Sequence, residues 1–194
     1  MEISSAQLKE LRNQTGISVM QCKKALEEAG GDMEKAMVFL KKKGAEVAEK
    51  KSNREFGAGV IGTYTHNTNE VAALVHLACE TDFVAKNEKF VTLARDIAMH
   101  VTAMNPQYLT RNEIDEKAQE AAKAVFAAEV KDKPEELQDK ILAGKLESYF
   151  QDSILMEQPF VKDPEKTIGD MVQEAVQAFG ENISVLAVKR LSVK

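Results

Sequence analysis

A chain of 194 residues, 44% apolar and 29% charged, is long enough for one sizeable core and a smaller module, and is not composed like a disordered segment. Its formal charge of −5 gives no general pull toward DNA, RNA or an anionic membrane, and no apolar run approaches the length of a membrane span. With no Trp, three Tyr and eight Phe, the core must rest mainly on aliphatic side chains.

The start of the chain, MEISSAQLKEL, lacks the apolar stretch of a secretory signal and the character of a transit peptide. A cytoplasmic location, or an organelle matrix after processing, is the expectation. Residues 1 to about 45 read as three short helices. Ser4 and Gln7 form a capping-box pattern ahead of Leu8 and Leu11, and Thr15-Gly16 breaks the helix. Ser18 and Gln21 form a second box, with Ile17 and Cys22 placed as a hydrophobic staple. Gly30-Gly31 stops that helix, and Asp32 caps a third that carries Met33, Ala36, Met37 and Leu40. The lysine-rich stretch to about Arg54 reads as a helical extension or a linker, its positive charges interrupted by Glu46, Glu49 and Glu55. Residues 1–54 are therefore taken as one domain and 55–194 as a second.

The composition changes at Gly57. Residues 58–65 and 71–79 are strand-like, with His66-Asn67-Thr68-Asn69 between them, and predict an antiparallel hairpin. Asn87 is placed to cap an amphipathic helix carrying Phe90, Leu93, Ala94, Ile97, Ala98, Val101 and Met104, ended by Asn105-Pro106. Thr110 with Glu113 predicts the start of an alanine-rich helix reaching about Val130. Pro134 opens a short helix that Gly144 ends, and Leu146, Phe150, Ile154 and Leu155 mark another. Thr167 to Phe179 is the last helix, stopped by Gly180. In the final strand, 182–193, Ile183, Val185, Ala187, Leu191 and Val193 share one parity, and Leu186 and Val188 the other. The predicted class is α+β: an N-terminal three-helix domain, then a three-stranded antiparallel sheet packed with helices.

Enzyme chemistry finds little footing. His76 and Cys79 have odd spacing on one strand and point apart, so a Cys–His nucleophile pair fails on geometry. His66, His76 and His100 lack the spacing of a zinc site, and Gly57, Gly59 and Gly62 precede a strand with no Gly-Lys-Ser/Thr after them. No cofactor, metal ligand set or catalytic residue is read, and no basic patch with interleaved aromatics points to nucleic acid. Nor does anything point to a membrane surface.

Two segments stand out. One is Leu11-Arg12-Asn13-Gln14-Thr15-Gly16-Ile17-Ser18-Val19-Met20-Gln21-Cys22-Lys23-Lys24-Ala25-Leu26. The other, Cys79-Glu80-Thr81-Asp82-Phe83-Val84-Ala85-Lys86-Asn87, sets a carboxylate and a large aromatic at a strand-to-helix turn. Local physics leaves two readings of Phe83: tucked under its own helix, or presented at the surface. Both segments, with Gln158-Pro159-Phe160-Val161-Lys162-Asp163, resemble signature stretches of the elongation factor Ts family, and the resemblance runs the length of the chain. The first is similar to the loop and second helix of that family's ubiquitin-associated-like domain. The chain departs where the family usually has Glu and Asn before the Cys-Glu-Thr-Asp-Phe run. Those positions look like His76 and Ala78, which bears on strand-edge contacts. It also has room for one core unit, as in short family members.

The resemblance implies a non-enzymatic guanine-nucleotide exchange factor for the GTPase elongation factor Tu, working as a homodimer in a two-plus-two complex. It implies that Phe83 wedges into the partner's nucleotide domain and disturbs its Mg²⁺ site, with Thr81, Asp82 and Val84 at the same contact. Ile17, Val19, Met20 and Lys23 would dock on the same partner. The alternative is a ubiquitin-associated-type binding module with an accessory domain, which leaves residues 80–90 unexplained.

Overall fold

The computed structural model describes residues 3–131 and 134–193, so the acidic residue at position 2 lies outside it. Helix α1 (Ser5–Thr15) opens with the complete Ser4–Gln7 capping box and closes at Gly16, whose φ of 67° is the left-handed conformation that glycine adopts without strain. In α2 (Val19–Glu28) the Ser18 hydroxyl accepts from the Gln21 N–H. Gln21 makes no return bond to Ser18; its side-chain oxygen instead accepts from Gln177 Nε2 at 3.3 Å. Ile17 and Cys22 are both buried, as a staple requires, among Leu11, Leu26, Ala36 and Leu40.

Asp32 caps α3 (Met33–Lys51) through the Lys35 N–H. The lysine-rich stretch is thus a helical extension, whose far end packs Val47 and Ala48 on the second core. One helix therefore serves both halves of the chain.

The hairpin β1 (Ala58–Thr65) and β2 (Val71–Cys79) has the predicted limits and pairs from Ala58↔Cys79 to Thr65↔Ala72. Next come the single turn α4 (Asp82–Ala85) and α5 (Glu88–Met104), capped by the Asn87 side chain on the Lys89 N–H. Then follow α6 (Glu116–Val130), α7 (Glu135–Ser153), β3 (Pro159–Phe160), β4 (Asp163–Thr167), α8 (Ile168–Phe179) and β5 (Ser184–Ser192). The main sheet has the order β1-β2-β5, all antiparallel. Its inner face meets α5 and α8 in a core that includes Val75, Leu77, Phe90, Ile97 and Ile168, each fully buried. Burial of each such side chain contributes on the order of 1.5–3 kcal/mol. Phe90 and Phe179 join α5 to α8 edge-on, with ring centroids 6.0 Å apart. Gly62 lets β1 lie directly on α5, since a Cβ there would stand 2.2 Å from the carbonyl oxygen of Ala94.

Four expectations need correction. The alanine-rich helix begins at Glu116 under an Asp115 cap, because the Glu113 carboxylate is taken by the Leu109 N–H at 2.7 Å and Thr110 makes no side-chain cap. Gly144 does not end a helix: α7 runs through it for 19 residues. A lone glycine costs a helix only about 1 kcal/mol relative to Ala, and Gly144 lacks the positive φ of a helix stop. A second, two-stranded sheet of β3 and β4 lies where no strand was expected, as its strands are too short to show a period. Finally, the parity of β5 breaks. His76 faces Ala187 while Leu77 faces Val185, so Leu186 is an extra residue in a bulge. Beyond it Val188 turns inward and packs on the core, while Leu191 and Val193 face out, 72% and 73% exposed.

Candidate partner-binding site

The second signature begins where β2 leaves the sheet. Thr81 is extended and caps α4, its hydroxyl accepting from the Val84 N–H. Successive residues of a helical turn point about 100° apart, so one turn splits its side chains between core and solvent. Val84 and Ala85 go inward, 4% and 8% exposed. Asp82 and Phe83 go outward, and Phe83 is 81% exposed. The reading that tucks Phe83 under its own helix is therefore wrong. Val84, grouped with the wedge, instead anchors the turn from below.

Asp82 accepts from Lys86 Nζ at 2.6 Å, and that bond, helped by the lysine charge, holds its carboxyl below the ordinary range. A buried Cys79 donates to the Thr81 carbonyl at 3.2 Å, and burial, then the nearby Glu181 charge, pushes its thiol up. A protonated thiol in the core is a poor nucleophile. His76 lies on the other sheet face, where it pairs with Ile61 and Ala187.

The bend before α4 is held from a distance. Glu181, in the turn between α8 and β5, accepts from the N–H groups of Glu80 and Thr81, both at 3.0 Å, and from the Thr81 hydroxyl at 2.5 Å. In return Glu80 accepts from the Asn182 N–H at 2.6 Å, and that bond and then Arg54 keep its carboxyl low. Asn182 Nδ2 ties the same point to the carbonyls of Ser52 and Arg54. Sequence reasoning missed Glu181 and Asn182. The contact spans 100 residues, and Gly180-Glu181-Asn182 reads only as a turn after a helix.

In the first signature, Met20 and Val19 are 74% and 43% exposed, and Lys23 lies on the surface beside Glu27. Ile17, expected among the exposed residues of this segment, is 2% exposed and belongs to the interior. The two signatures meet at one cleft of about 570 Å³, lined by Asn13, Gln14 and Gly16 from one side and Asn87 and Lys89 from the other. His76 and Ala78 are not on a sheet edge, because β2 is the central strand. The third segment is part buried and part exposed: Gln158 is buried between His100 and the Asp152 carbonyl and Phe160 is buried, while Lys162 pairs with Asp96 at the surface. Among the described residues no group of three His, Cys, Asp or Glu side chains is placed to hold a metal ion, and no helix is long and apolar enough to cross a membrane.

The α4 turn thus presents the Phe83 ring to solvent from a folded support. The family model described as elongation factor TS matches residues 7–194. An elongation factor Ts of Thermodesulfovibrio yellowstonii is 45% identical over 194 residues, covering 100% of this chain and 97% of the relative. The chain belongs to the elongation factor Ts family. Other members behave alike: that of Geotalea uraniireducens is 46% identical over 95% of this chain and 87% of its own. That of Thermosipho melanesiensis is 45% identical over 98% of each. Membership makes this a translation elongation factor of protein biosynthesis.

Proposed function

We propose that this elongation factor Ts family member is a guanine-nucleotide exchange factor for elongation factor Tu, acting in the cytoplasm without catalytic chemistry of its own. The observation that carries the reading is the exposure of Phe83 on a turn whose neighbours Val84 and Ala85 are buried. A ring left in water by a rigid support is suited to enter a partner's interior. A GTPase holds its nucleotide through phosphate contacts and Mg²⁺, and a factor that binds better when those contacts are loosened must, by linkage, be bound less well when nucleotide is tight. Phe83 is the wedge that disturbs the partner's Mg²⁺ site. Asp82 accepts hydrogen bonds at the rim, Thr81 holds the turn, and Val84 anchors it. Val19, Met20 and Lys23 dock on the same partner with Ile17 packed beneath them.

Residues 1–54 form the ubiquitin-associated-like domain of this reading, and 55–194 the core through which the protein forms a homodimer. The outer sheet face supports the dimer: Ile61, Leu74, Leu186, Leu191 and Val193 are all exposed there, between 44% and 73%. A second copy matches such a face because a two-fold pairing lays like on like. The alternative, a ubiquitin-associated-type module with an accessory domain, gives Phe83 no task.

The test is release of a fluorescent GDP from purified elongation factor Tu, with and without this protein. Acceleration at substoichiometric amounts is expected. No acceleration at any concentration sinks the reading, and capture of a ubiquitin-like protein instead would establish the alternative.

A further inference from the structure

Few contacts among the described residues hold the tip of the α4 turn. Phe83 stands in solvent, and Asp82 pairs with an exposed lysine four residues on. A helix of four residues has almost no stability of its own. Below the turn, Val84 and Ala85 hold its C-terminal side to the core. The N-terminal side is where Phe83 is aimed, and the Glu181 carboxylate meets it there.

We infer that Glu181 is a positioning residue for nucleotide exchange, clamping the Glu80–Thr81 backbone so that Phe83 is presented in one direction. This deepens the function proposed above and rests on it.

Three features argue for a clamp rather than a casual surface contact. Both carboxylate oxygens are engaged: Oε2 takes the two consecutive N–H groups and Oε1 takes the Thr81 hydroxyl. Two consecutive amides converging on one oxygen fix how their two peptide planes meet at Glu80, and charge-assisted bonds of this kind are about twice as strong as neutral ones. The hydroxyl hydrogen of Thr81 is thereby committed to Glu181, which leaves its oxygen free to accept from the Val84 N–H and cap the turn. Glu181 thus reaches α4 itself through the threonine. Lastly, the clamp is reciprocal. Glu80 grips the Asn182 N–H while Glu181 grips Glu80, and Asn182 is tied to the end of α3 through Ser52 and Arg54. The direction of Phe83 is therefore referred to the end of α3, the helix whose Ala36 and Leu40 pack with Leu26 of α2, and α2 carries Val19, Met20 and Lys23.

The experiment is a double-mutant cycle on GDP release from elongation factor Tu, with Glu181→Ala, Glu181→Gln, Phe83→Ala and Glu181→Ala/Phe83→Ala. Factor concentration is varied to separate the maximal rate from the half-saturating concentration. Glu181→Ala is expected to lower the maximal rate about tenfold, with the half-saturating concentration changed little because the N-terminal contacts persist. Glu181→Gln keeps an oxygen for the two amides but cannot accept from the Thr81 hydroxyl once its NH₂ faces it, so it should fall between wild type and Glu181→Ala. It also serves if the alanine variant does not fold. The decisive expectation is that Glu181→Ala costs nothing further once Phe83 is gone, because it acts through that ring. A loss of equal size in both backgrounds would overturn the positioning role, as would wild-type maximal rates in both Glu181 variants while Phe83→Ala is impaired. A wild-type protein that fails to speed release would instead overturn the exchange function itself.

Discussion

Replacing Phe83 by Ala separates the two properties that a core aromatic would confound. An enclosed Phe buries about 150–250 Å² of surface. With 81% of the residue exposed, the protein's own fold uses only about 40 Å² of it, worth on the order of 1 kcal/mol at about 25 cal/mol/Å². For a domain of this size that is a shift in melting temperature of about 2–4 °C. The remaining ~160 Å² is available to the partner and corresponds to about 4 kcal/mol, the scale of an interface hot spot. Only the part of that energy realised when nucleotide contacts are loosened, and not in the first encounter, speeds release. If half of it is differential, about 2 kcal/mol, the catalysed rate falls about 30-fold. The assay is stopped-flow release of fluorescent GDP at saturating factor, beside a thermal melt of the free protein. A melt lowered by much more than a few degrees would mean that the ring supports its own fold. Unchanged release with an intact fold would mean that it enters nothing that matters for exchange.

Three further outcomes are expected. Gly62→Ala places a Cβ 2.2 Å from the Ala94 carbonyl oxygen, and as that oxygen belongs to a packed helix backbone the change should destabilise the fold by about 2–3 kcal/mol, read by urea denaturation. His100 is fully buried with Nδ1 unpartnered among the described residues, and burial depresses its pKa despite the opposing bond to Gln158. The unfolded chain therefore takes up the proton first, and stability present above pH about 6.5 is lost as pH falls from there toward the lower folded-state value. Denaturation midpoints from pH 7.5 to 5 should fall less steeply in His100→Gln than in wild type, and equal slopes would remove His100 as the cause. Leu74→Lys with Leu191→Lys sets charges on the outer sheet face where the side chains are 46% and 72% exposed. Light scattering should report a monomer with little change in melting of the subunit, and a persisting dimer would place the pairing surface elsewhere.

Local chemistry made much of this molecule legible. Ser4, Asp32, Asn87 and Thr167 each cap a helix, because an Ncap oxygen acts within three residues and leaves its mark in the sequence. The hairpin limits were readable because alternating apolar residues stop where turn formers start. What failed was non-local or ambiguous. Glu113 fits the capping-box spacing, yet its carboxylate caps the chain behind it. Gly144 has the composition of a stop without the conformation of one. The bulge at Leu186 inverts the faces of β5 with no residue that announces it.

The site divides along the same line. Physical reading could mark an aromatic beside an acid at a turn, but not whether the ring lay inside or out, since a four-residue turn is too short for a periodicity to decide. The resemblance implied the outward answer, and the burial of Val84 and Ala85 explains it: the turn can send only part of its side chains inward. Ile17 shows the converse. It sits in a signature segment and beside exposed Val19 and Met20, yet its position before the Ser18 cap makes it a staple, and a staple faces its own helix. A residue of a signature segment can thus serve the segment's own packing while its neighbours stay exposed. Glu181 extends that logic across the fold. The acid that sets the bend lies 100 residues away from Thr81, at a turn that motif reading passes over, so the part of the site that aims the ring could be found only once the chain was folded.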